Sequence, residues 1–304
     1  MNISIALCTY NGARFLREQL ASIAAQSRLP DELVVCDDGS TDETLSLVER
    51  ISRQSSFPVR VVRNPANLGV AANFQQAIGL CQSELTALAD QDDVWLPDKL
   101  ARAEQALLAS KHPAQSLYCS RLQYVDANLA PVGYSSLPAH IDFSNALVEN
   151  SATGCSIVFG SDIKRRFLEA DASRMLMHDW WLYLVATAFG EVVYDPVASI
   201  LYRQHSHNVA GWEPRPTKLW HRYQSLRVRL RAGSEGMDSL NQASRFIDSY
   251  SDLSTDKRDL VRDLLRLRQA SFLERIPETI RLKVKRNNAF ENFGLRVMLL
   301  MGWH

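Results

Sequence analysis

The sequence is poor in cysteine, and its cysteines are not spaced to bind a metal or to carry out redox chemistry. The five are odd in number, form no Cys-x-x-Cys pair and mostly lie in apolar, strand-like runs: Cys8, Cys36, Cys81, Cys119 and Cys155. This pattern indicates buried free thiols in a reducing cytoplasm.

Long apolar runs are also missing. The longest, residues 180–186, is far shorter than the roughly 18 residues that a membrane-spanning helix needs, and residues 3–7 enter a strand pattern without a basic leader. A composition of 46% hydrophobic and 22% charged residues is that of a globular protein. The sequence therefore predicts no membrane span and no secretion signal, and it excludes collagen-like and wholly disordered chains.

Glycine is scarce where a phosphate-binding loop would need it. After the first apolar run the turn contains one glycine, Gly12, and neither the Gly-x-Gly-x-x-Gly pattern nor the P-loop pattern is present. These absences disfavour a dinucleotide oxidoreductase and a P-loop enzyme. The polar loops that follow are instead rich in carboxylates.

Charge is balanced overall but unevenly distributed. Residues 1–211 carry 16 basic and 23 acidic side chains, a net charge of −7, whereas residues 212–304 carry 18 and 11, a net charge of +7. The chain is thus an acidic body followed by a basic tail.

Short β-branched runs alternate with helical patterns in the first hundred residues. Strands are predicted at 3–8, 32–36, 59–62 and 84–89, with helices at 13–26, from about 43 and at 69–81. Ser40 and Glu43 predict a capping box before the second helix. This alternation predicts an α/β fold, a Rossmann-like and mostly parallel sheet flanked by helices.

Ligands bind at the carboxyl ends of the strands in such a sheet, and two of the four loops there are acidic. Asp90 and Asp92 are two residues apart, so in an extended segment they share a face, and Mg²⁺ typically uses one or two carboxylates together with phosphate oxygens. The alternative is that these acids only cap the following helix. For Asp37 and Asp38, the alternative is a simple turn.

Four motifs in order resemble family-two glycosyltransferases of the GT-A fold. They are Ala-Leu-Cys-Thr-Tyr-Asn-Gly from residue 6, Val-Cys-Asp-Asp-Gly-Ser from 35, Asn-Pro-Ala-Asn-Leu-Gly from 64 and Ala-Asp-Gln-Asp-Asp-Val-Trp from 89. The last is most similar to the rhamnosyltransferase-like branch. The resemblance covers about residues 1–211 and implies transfer of a sugar from a nucleoside diphosphate with inversion.

The resemblance also implies roles for individual residues. Donor binding falls to seven of them: Thr9, Tyr10, Asn11, Asp38, Asn67, Asp90 and Arg203. Arg203 would contact the diphosphate and offset its charge. Asp38 would accept from the imide N–H of uracil or thymine. The metal, Mg²⁺ or Mn²⁺, would be held by Asp92 and His205, although a histidine pair at that spacing, taken alone, more often lies in a solvated loop.

The acceptor half of the site is expected in residues 111–211. Asp179 matches the family's general base, with helix capping as the alternative. We expect the acceptor side to be lined by Thr153 and Gly154, from the strand-like run 150–159, and by the adjacent tryptophans Trp180 and Trp181. The tryptophans alone would more often be core residues.

The basic extension, residues 212–304, shows helical patterns, including one at 259–274. It is expected either to lie on an anionic membrane surface or to pack or dimerise. Residues 134–146 lack a periodic pattern and predict a mobile loop over the acceptor. No nucleic-acid recognition motif is present.

The sequence thus predicts a glycosyltransferase of residues 1–211, with 1–110 as the nucleotide-sugar half. Its donor would be a dTDP- or UDP-sugar, with rhamnose favoured by resemblance, and its acceptor a saccharide or lipid-linked saccharide in surface polysaccharide synthesis. It would act in the cytoplasm, with peripheral membrane contact and a homodimer both open. The alternatives are transfer of another sugar and a non-catalytic saccharide- or nucleotide-binding module.

Overall fold

The computed structural model describes residues 1–204 and 234–302, which form two compact units. The first contains residues 1–137, 152–173 and 177–204, and the second contains residues 138–151, 174–176 and 234–302. The predicted domain boundary at residue 211 lies outside the described residues.

All strands of the described residues belong to the first unit. They are β1 Ile3–Thr9, β2 Glu32–Asp37, β3 Val59–Arg63, β4 Leu85–Ala89, β5 Val94–Trp95, β6 Ser116–Ser120, β7 Gln123–Val125, β8 Pro131–Tyr134, β9 Val158–Gly160, β10 Glu191–Asp195 and β11 Ile200–Arg203.

The helices begin and end as follows, with α5 and α8 to α11 in the second unit. They are α1 Ala13–Ala24, α2 Thr44–Ser52, α3 Val70–Leu80, α4 Lys99–Ala109, α5 Phe143–Ala146, α6 Ser161–Leu168, α7 His178–Phe189, α8 Ser234–Ser249, α9 Thr255–Arg266, α10 Phe272–Arg281 and α11 Ala289–Met301.

Seven strands form the central sheet in the order β10-β6-β9-β4-β1-β2-β3. All neighbours are parallel except β9, which runs antiparallel to β4 and β6. Every residue of β4 is buried, as expected for a strand in a sheet that is covered on both faces. The hydrophobic core is continuous from α1 through the sheet to α4. The predicted mostly parallel α/β fold is confirmed.

A second sheet has the order β5-β11-β7-β8. The two-residue strand β5 pairs antiparallel with β11, which runs parallel to β7. Since β5 follows directly on the loop at residues 90–93, this pairing joins that loop to residues more than a hundred positions later.

The predicted capping box before α2 does not form. The helix begins at Thr44, and the Ser40 hydroxyl instead donates to Asp37 Oδ2 at 2.5 Å and accepts from the backbone N–H of Asn11. A hydroxyl already engaged by the neighbouring loops is not available to a helix end.

In the second unit, residues 259–274 are not one helix. The pattern is interrupted after α9, and Ser271 and Glu274 form a capping box that starts α10. Within the range predicted as a loop, Asp142 caps the short helix α5 by accepting from the backbone N–H of Asn145 at 3.0 Å. No helix of the described part of the chain is long and apolar enough to cross a membrane.

Candidate active site

A cleft of about 200 Å³ opens at the carboxyl ends of β1, β2 and β4, facing the start of α7. Its lining comes from loops far apart in the chain: Cys8, Thr9, Tyr10, Asp38, Val70, Asn73, Phe74, Asp90, Gln91, Asp92, Thr153, Gly154, Met177, His178, Asp179 and Tyr202. Eight of the residues predicted from the sequence are in this set: Thr9, Tyr10, Asp38, Asp90, Asp92, Thr153, Gly154 and Asp179. The parallel strands β2 and β4 bring three carboxylates to this cleft, and the start of α7 supplies a fourth.

Asp38 is buried at one end of the cleft. Its Oδ1 accepts from the Asn64 side chain at 2.9 Å and from the Leu68 backbone N–H at 2.8 Å, and its Oδ2 accepts from the Gly69 backbone N–H at 2.9 Å. The carboxylate therefore fixes the loop between β3 and α3. Among the described groups Oδ2 has one donor, so it retains capacity to accept from a ligand.

The neighbouring Asp37 holds the loops together from below. It accepts from the Thr9 hydroxyl at 2.9 Å and from both the backbone and the hydroxyl of Ser40. The Thr9 hydroxyl uses its one hydrogen in the bond to Asp37, so toward a ligand it can act only as a hydrogen-bond acceptor.

Asn11 and Asn67 are not in the cleft lining, and they act on the loops around it. Asn11 has the positive φ of 47° that asparagine tolerates, and its Oδ1 accepts from the Thr41 backbone N–H at 2.9 Å. Asn67 donates to the Asp38 carbonyl at 3.3 Å and accepts from the Gly69 backbone N–H. Both were expected to bind donor; in the structure their side-chain amides hold neighbouring loops of the cleft in place.

Gln91 joins the loops after β1 and β4, a role that the sequence analysis did not identify. Its Oε1 accepts from the Tyr10 backbone N–H at 2.9 Å and its Nε2 donates to the Tyr10 carbonyl at 3.0 Å. A β-carbon on Gly12 would lie 2.0 Å from Oε1 of Gln91. The glycine therefore makes room for the amide that fixes Tyr10 beside Asp90 and Asp92.

The carboxylates crowd one another at the cleft. The pKa of Asp90 is raised to about 8, first by removal from solvent and then by the negative charges of Asp92 and Asp179. A group that is costly to ionise among like charges is stabilised by a cation placed between them. Asp90 and Asp92 offer the oxygen ligands that Mg²⁺ and Mn²⁺ prefer.

A second acidic group lies beneath the cleft. Ligand atoms of Asp90, Asp93 and Cys155 lie within 4.8 Å of one another. Asp93 is fully buried and accepts from the Arg203 backbone N–H at 3.1 Å. Burial and the nearby carboxylates raise the pKa of the Cys155 thiol, so it stays protonated and is a poor ligand for a hard cation.

Lys99 completes this buried group. Its side chain is fully buried, with Nζ 4.1 Å from the centre of the Trp95 ring, and it has no hydrogen-bond acceptor among the described residues. Burial lowers its pKa to about 7, against the opposing influence of Cys155 and Asp93.

Asp179 lies at the first turn of α7 and faces the strand ends across the cleft. Its Oδ2 accepts from the Gly154 backbone N–H at 3.0 Å and its Oδ1 accepts from the Trp180 backbone N–H at 2.6 Å. The Gly154 bond comes from a 3₁₀ turn, Gly154–Ser156, where a strand was expected. Two backbone donors orient this carboxylate.

His178 is the other residue that the sequence analysis missed. It is 97% buried, stacks on Phe74 with ring centres 3.8 Å apart, and neither ring nitrogen has a hydrogen-bond partner in the described part of the chain. Burial lowers its pKa to about 3, so the ring is neutral. Its Nε2 would lie 3.0 Å from a β-carbon on Gly154.

Three further residues do not lie in the cleft lining. Trp181 is fully buried in the core, and Trp180, half-buried, is also outside the lining. Arg203 is buried, and its guanidinium donates to the Asp92 carbonyl at 2.8 Å, to a second carbonyl and to Glu18. Its expected contact with the diphosphate is replaced here by a clamp on the acidic loop. His205 lies outside the described residues.

Comparison with protein families agrees with this arrangement. The model of the family described as Glycosyl transferase family 2 matches residues 4–158, about half of the chain, and includes β1 to β4 with all their acidic loops. The chain belongs to glycosyltransferase family 2.

Curated relatives of this family-2 chain are distant. It is 28% identical over 220 residues to the dTDP-rhamnosyl transferase RfbG of Shigella flexneri, covering 67% of this chain and 73% of that protein. It is 25% identical over 214 residues to an uncharacterized protein of Mycobacterium tuberculosis, covering 68% of this chain. The match spans 60% of the mycobacterial protein's length.

Solved structures show the same fold for this family-2 chain. The crystal structure of Staphylococcus aureus TarS 1-349 in complex with UDP-GlcNAc superposes with a TM-score of 0.60 at 18% identity, covering all of this chain and 80% of that one. The same fragment in complex with UDP gives 0.59, covering 93% and 76%. The likeness establishes the GT-A fold.

Proposed function

We propose that this chain is an inverting, metal-dependent glycosyltransferase that moves a sugar from a nucleoside diphosphate to a hydroxyl of a saccharide or lipid-linked saccharide. The observation that carries the proposal is the cleft shared by Asp38, Asp90, Asp92 and Asp179, which come from two strand ends and one helix start. Membership of family 2 supports it.

The donor base is bound at the Asp38 end. The free capacity of Asp38 Oδ2 suits the imide N–H of uracil or thymine, since a carboxylate accepts and that group donates. Tyr10, 49% exposed and fixed by Gln91, offers a ring beside the base or ribose. This arrangement favours a UDP- or dTDP-sugar.

A divalent cation suits Asp90 and Asp92 by the chemistry of the ligands. Both are carboxylates at the cleft, and the raised pKa of Asp90 reports negative charge that a cation would relieve. When bound, Mg²⁺ or Mn²⁺ would offset the charge of the diphosphate and stabilise the leaving group. Asp93 is less suited because it is buried beside a protonated thiol.

Asp179 acts as the general base. Its carboxylate is oriented by two backbone N–H groups and lies across the cleft from the diphosphate end. It takes the proton of the acceptor hydroxyl as that oxygen attacks the anomeric carbon and the nucleoside diphosphate leaves from the opposite face. The displacement inverts the anomeric configuration.

Rhamnose is the proposed sugar. The support is the likeness to RfbG of Shigella flexneri, whose name specifies dTDP-rhamnosyl transfer, together with the Asp-Gln-Asp-Asp-Val-Trp motif. Another UDP- or dTDP-linked sugar is the second candidate. The acceptor is proposed to belong to surface polysaccharide synthesis, with the enzyme peripheral on the inner membrane face, and a homodimer remains an open prediction.

Turnover of a donor panel tests the proposal. The full chain is incubated with dTDP-rhamnose, UDP-glucose and UDP-N-acetylglucosamine, each with Mn²⁺ or with chelator, and nucleoside diphosphate release is measured together with the anomeric configuration of the product. We expect one donor to dominate, chelator to suppress release and the product to be inverted. Saturable donor binding without release would support a binding module instead.

A further inference from the structure

The last two helices expose an unusual amount of apolar surface. Among the residues that the structure describes, 18 large apolar side chains are exposed, and seven of them lie between residues 272 and 301: Phe272, Leu273, Ile276, Ile280, Phe290, Phe293 and Met301. Exposed apolar side chains concentrated on two neighbouring helices in this way point to a site of interaction with a partner or a membrane.

Each helix presents these side chains on one stripe. On α10, Leu273, Ile276 and Ile280 recur at helical spacing and are 75%, 40% and 78% exposed. On α11, Phe290, Phe293 and Met301 recur in the same way, while Leu295 and Leu299 are buried on another side of that helix. Both helices thus have a packed side and a second apolar side in solvent.

The helices are held firmly to one another, so the stripes are not frayed ends. The Arg296 guanidinium on α11 donates to the carbonyls of Leu282 at 2.7 Å and Val284 at 2.9 Å, and also to the carbonyl of Thr279 in the last turn of α10. These bonds cap α10 and fix the segment that joins the two helices.

The joining segment carries exposed cations. Lys283 and Lys285 are exposed and alternate with the buried Leu282 and Val284, so these two basic side chains point to one side of the segment, and the exposed Arg281 ends α10 directly before it. They lie in sequence between Ile280 and Phe290, at the ends of the two stripes.

We propose that the surface formed by α10, residues 282–288 and α11 docks on an anionic lipid surface. Apolar side chains would enter the boundary between headgroups and acyl chains while the cations meet anionic headgroups. Charge disfavours two other occupants of this surface, a second copy of the chain and the chain's own residues 205–233. A two-fold dimer through this face would place its cations against the same cations of the second copy. Residues 205–233 carry a net charge of +5, so these cations would repel them as well.

Vesicle co-sedimentation of the full chain tests this. The vesicles contain about one-third phosphatidylglycerol, and pure phosphatidylcholine vesicles are the uncharged comparison. We expect binding to the anionic vesicles that weakens with salt, and at least a tenfold loss in the variant L273S/I280S/F293S. A variant K283Q/K285Q should lose the preference for anionic vesicles while keeping its fold.

The control is L108S, which removes a leucine that is 53% exposed on α4 in the first unit. It should bind vesicles as the unmodified chain does. Absence of vesicle binding by the unmodified chain would overturn the proposal, as would full binding by the triple serine variant. Sedimentation velocity showing a dimer that the serine variant dissolves would assign the face to self-association. Vesicle binding requires no turnover, so these outcomes are independent of the proposed transfer.

Discussion

The Oδ2 atom of Asp179 accepts a hydrogen bond from the backbone N–H of Gly154 at 3.0 Å, and a β-carbon at Gly154 would lie 3.4 Å from the β-carbon of Asp179. A larger residue in the 3₁₀ turn would therefore press on the proposed base and on the His178 ring. The turn orients the carboxylate, and the start of α7 supplies its second donor.

Asp179→Asn tests the proposed base. The amide keeps the size of the side chain but cannot take a proton, so we expect turnover to fall by roughly 10²–10⁴-fold. Donor affinity, measured by calorimetry, should stay within about twofold of the unmodified chain because Asp38 and Tyr10 are untouched. Near-normal kcat would remove Asp179 from the mechanism.

Asp92→Asn tests the proposed cation site. Replacing one carboxylate with an amide leaves a weaker oxygen ligand, and we expect Mn²⁺ to lose most of its ability to tighten donor binding. Calorimetry with and without the metal measures this difference. Asp98→Asn, an exposed acid at the start of α4, is the matched control and should leave it unchanged. Equal metal stimulation in both variants would contradict the assignment.

Gln91 and Gly12 should behave as a coupled pair. In Gly12→Ala the new methyl displaces the Gln91 amide from the Tyr10 backbone, with a loss of about 1–2 kcal/mol of folding free energy and weaker donor binding. Gln91→Ala loses the same two hydrogen bonds without a clash.

The double variant decides whether the two effects share one cause. Once Gln91 is alanine, the Gly12 methyl meets no amide, and its φ of −103° suits alanine. We therefore expect the double variant to be close to Gln91→Ala alone in urea unfolding. Simple addition of the two losses would show that Gly12 acts by another contact.

His178→Phe should stabilise the fold while impairing the site. Phenylalanine keeps the stack on Phe74 and removes two buried nitrogens that lack a partner among the described residues, so we expect a gain of about 1–2 kcal/mol. Turnover should fall, since the ring lines the cleft beside Asp179. Denaturant unfolding and steady-state kinetics measure the two effects.

The stability gain should depend on pH in a defined direction. The folded-state pKa of His178 is about 3, below the ordinary value of 6.5, so the unfolded chain binds an additional proton between these values. The unmodified chain therefore loses about 1.4 kcal/mol per pH unit below pH 6.5 that His178→Phe does not lose. A gain that stays constant from pH 7 to pH 5 would show that His178 is not held neutral.

The sheet was predictable because its strands carry local signals. Continuous apolar runs such as 33–36 are what a strand buried on both faces requires, and the polar loops after such strands mark the ligand edge. The antiparallel strand β9 was not predictable, because three residues give no period and its partners β4 and β6 are set by tertiary packing.

The site shows the same division. Asp38, Asp90 and Asp92 follow strands, so their convergence was readable from the pattern. Arg203 was expected at the diphosphate, but its partners lie far away in sequence, and only β11 pairing beside β7 brings it to Asp92 and Glu18.

By itself, the sequence determined the α/β class, the acidic loops and the basic extension, because period and composition are local properties of the chain. Tertiary structure decided which polar side chains face the cleft and which are consumed in holding it. A hydrogen bond depends on where its partner lies in space. The residues around Gln91 and Asp179 in the sequence therefore do not predict the bonds to Tyr10 and Gly154.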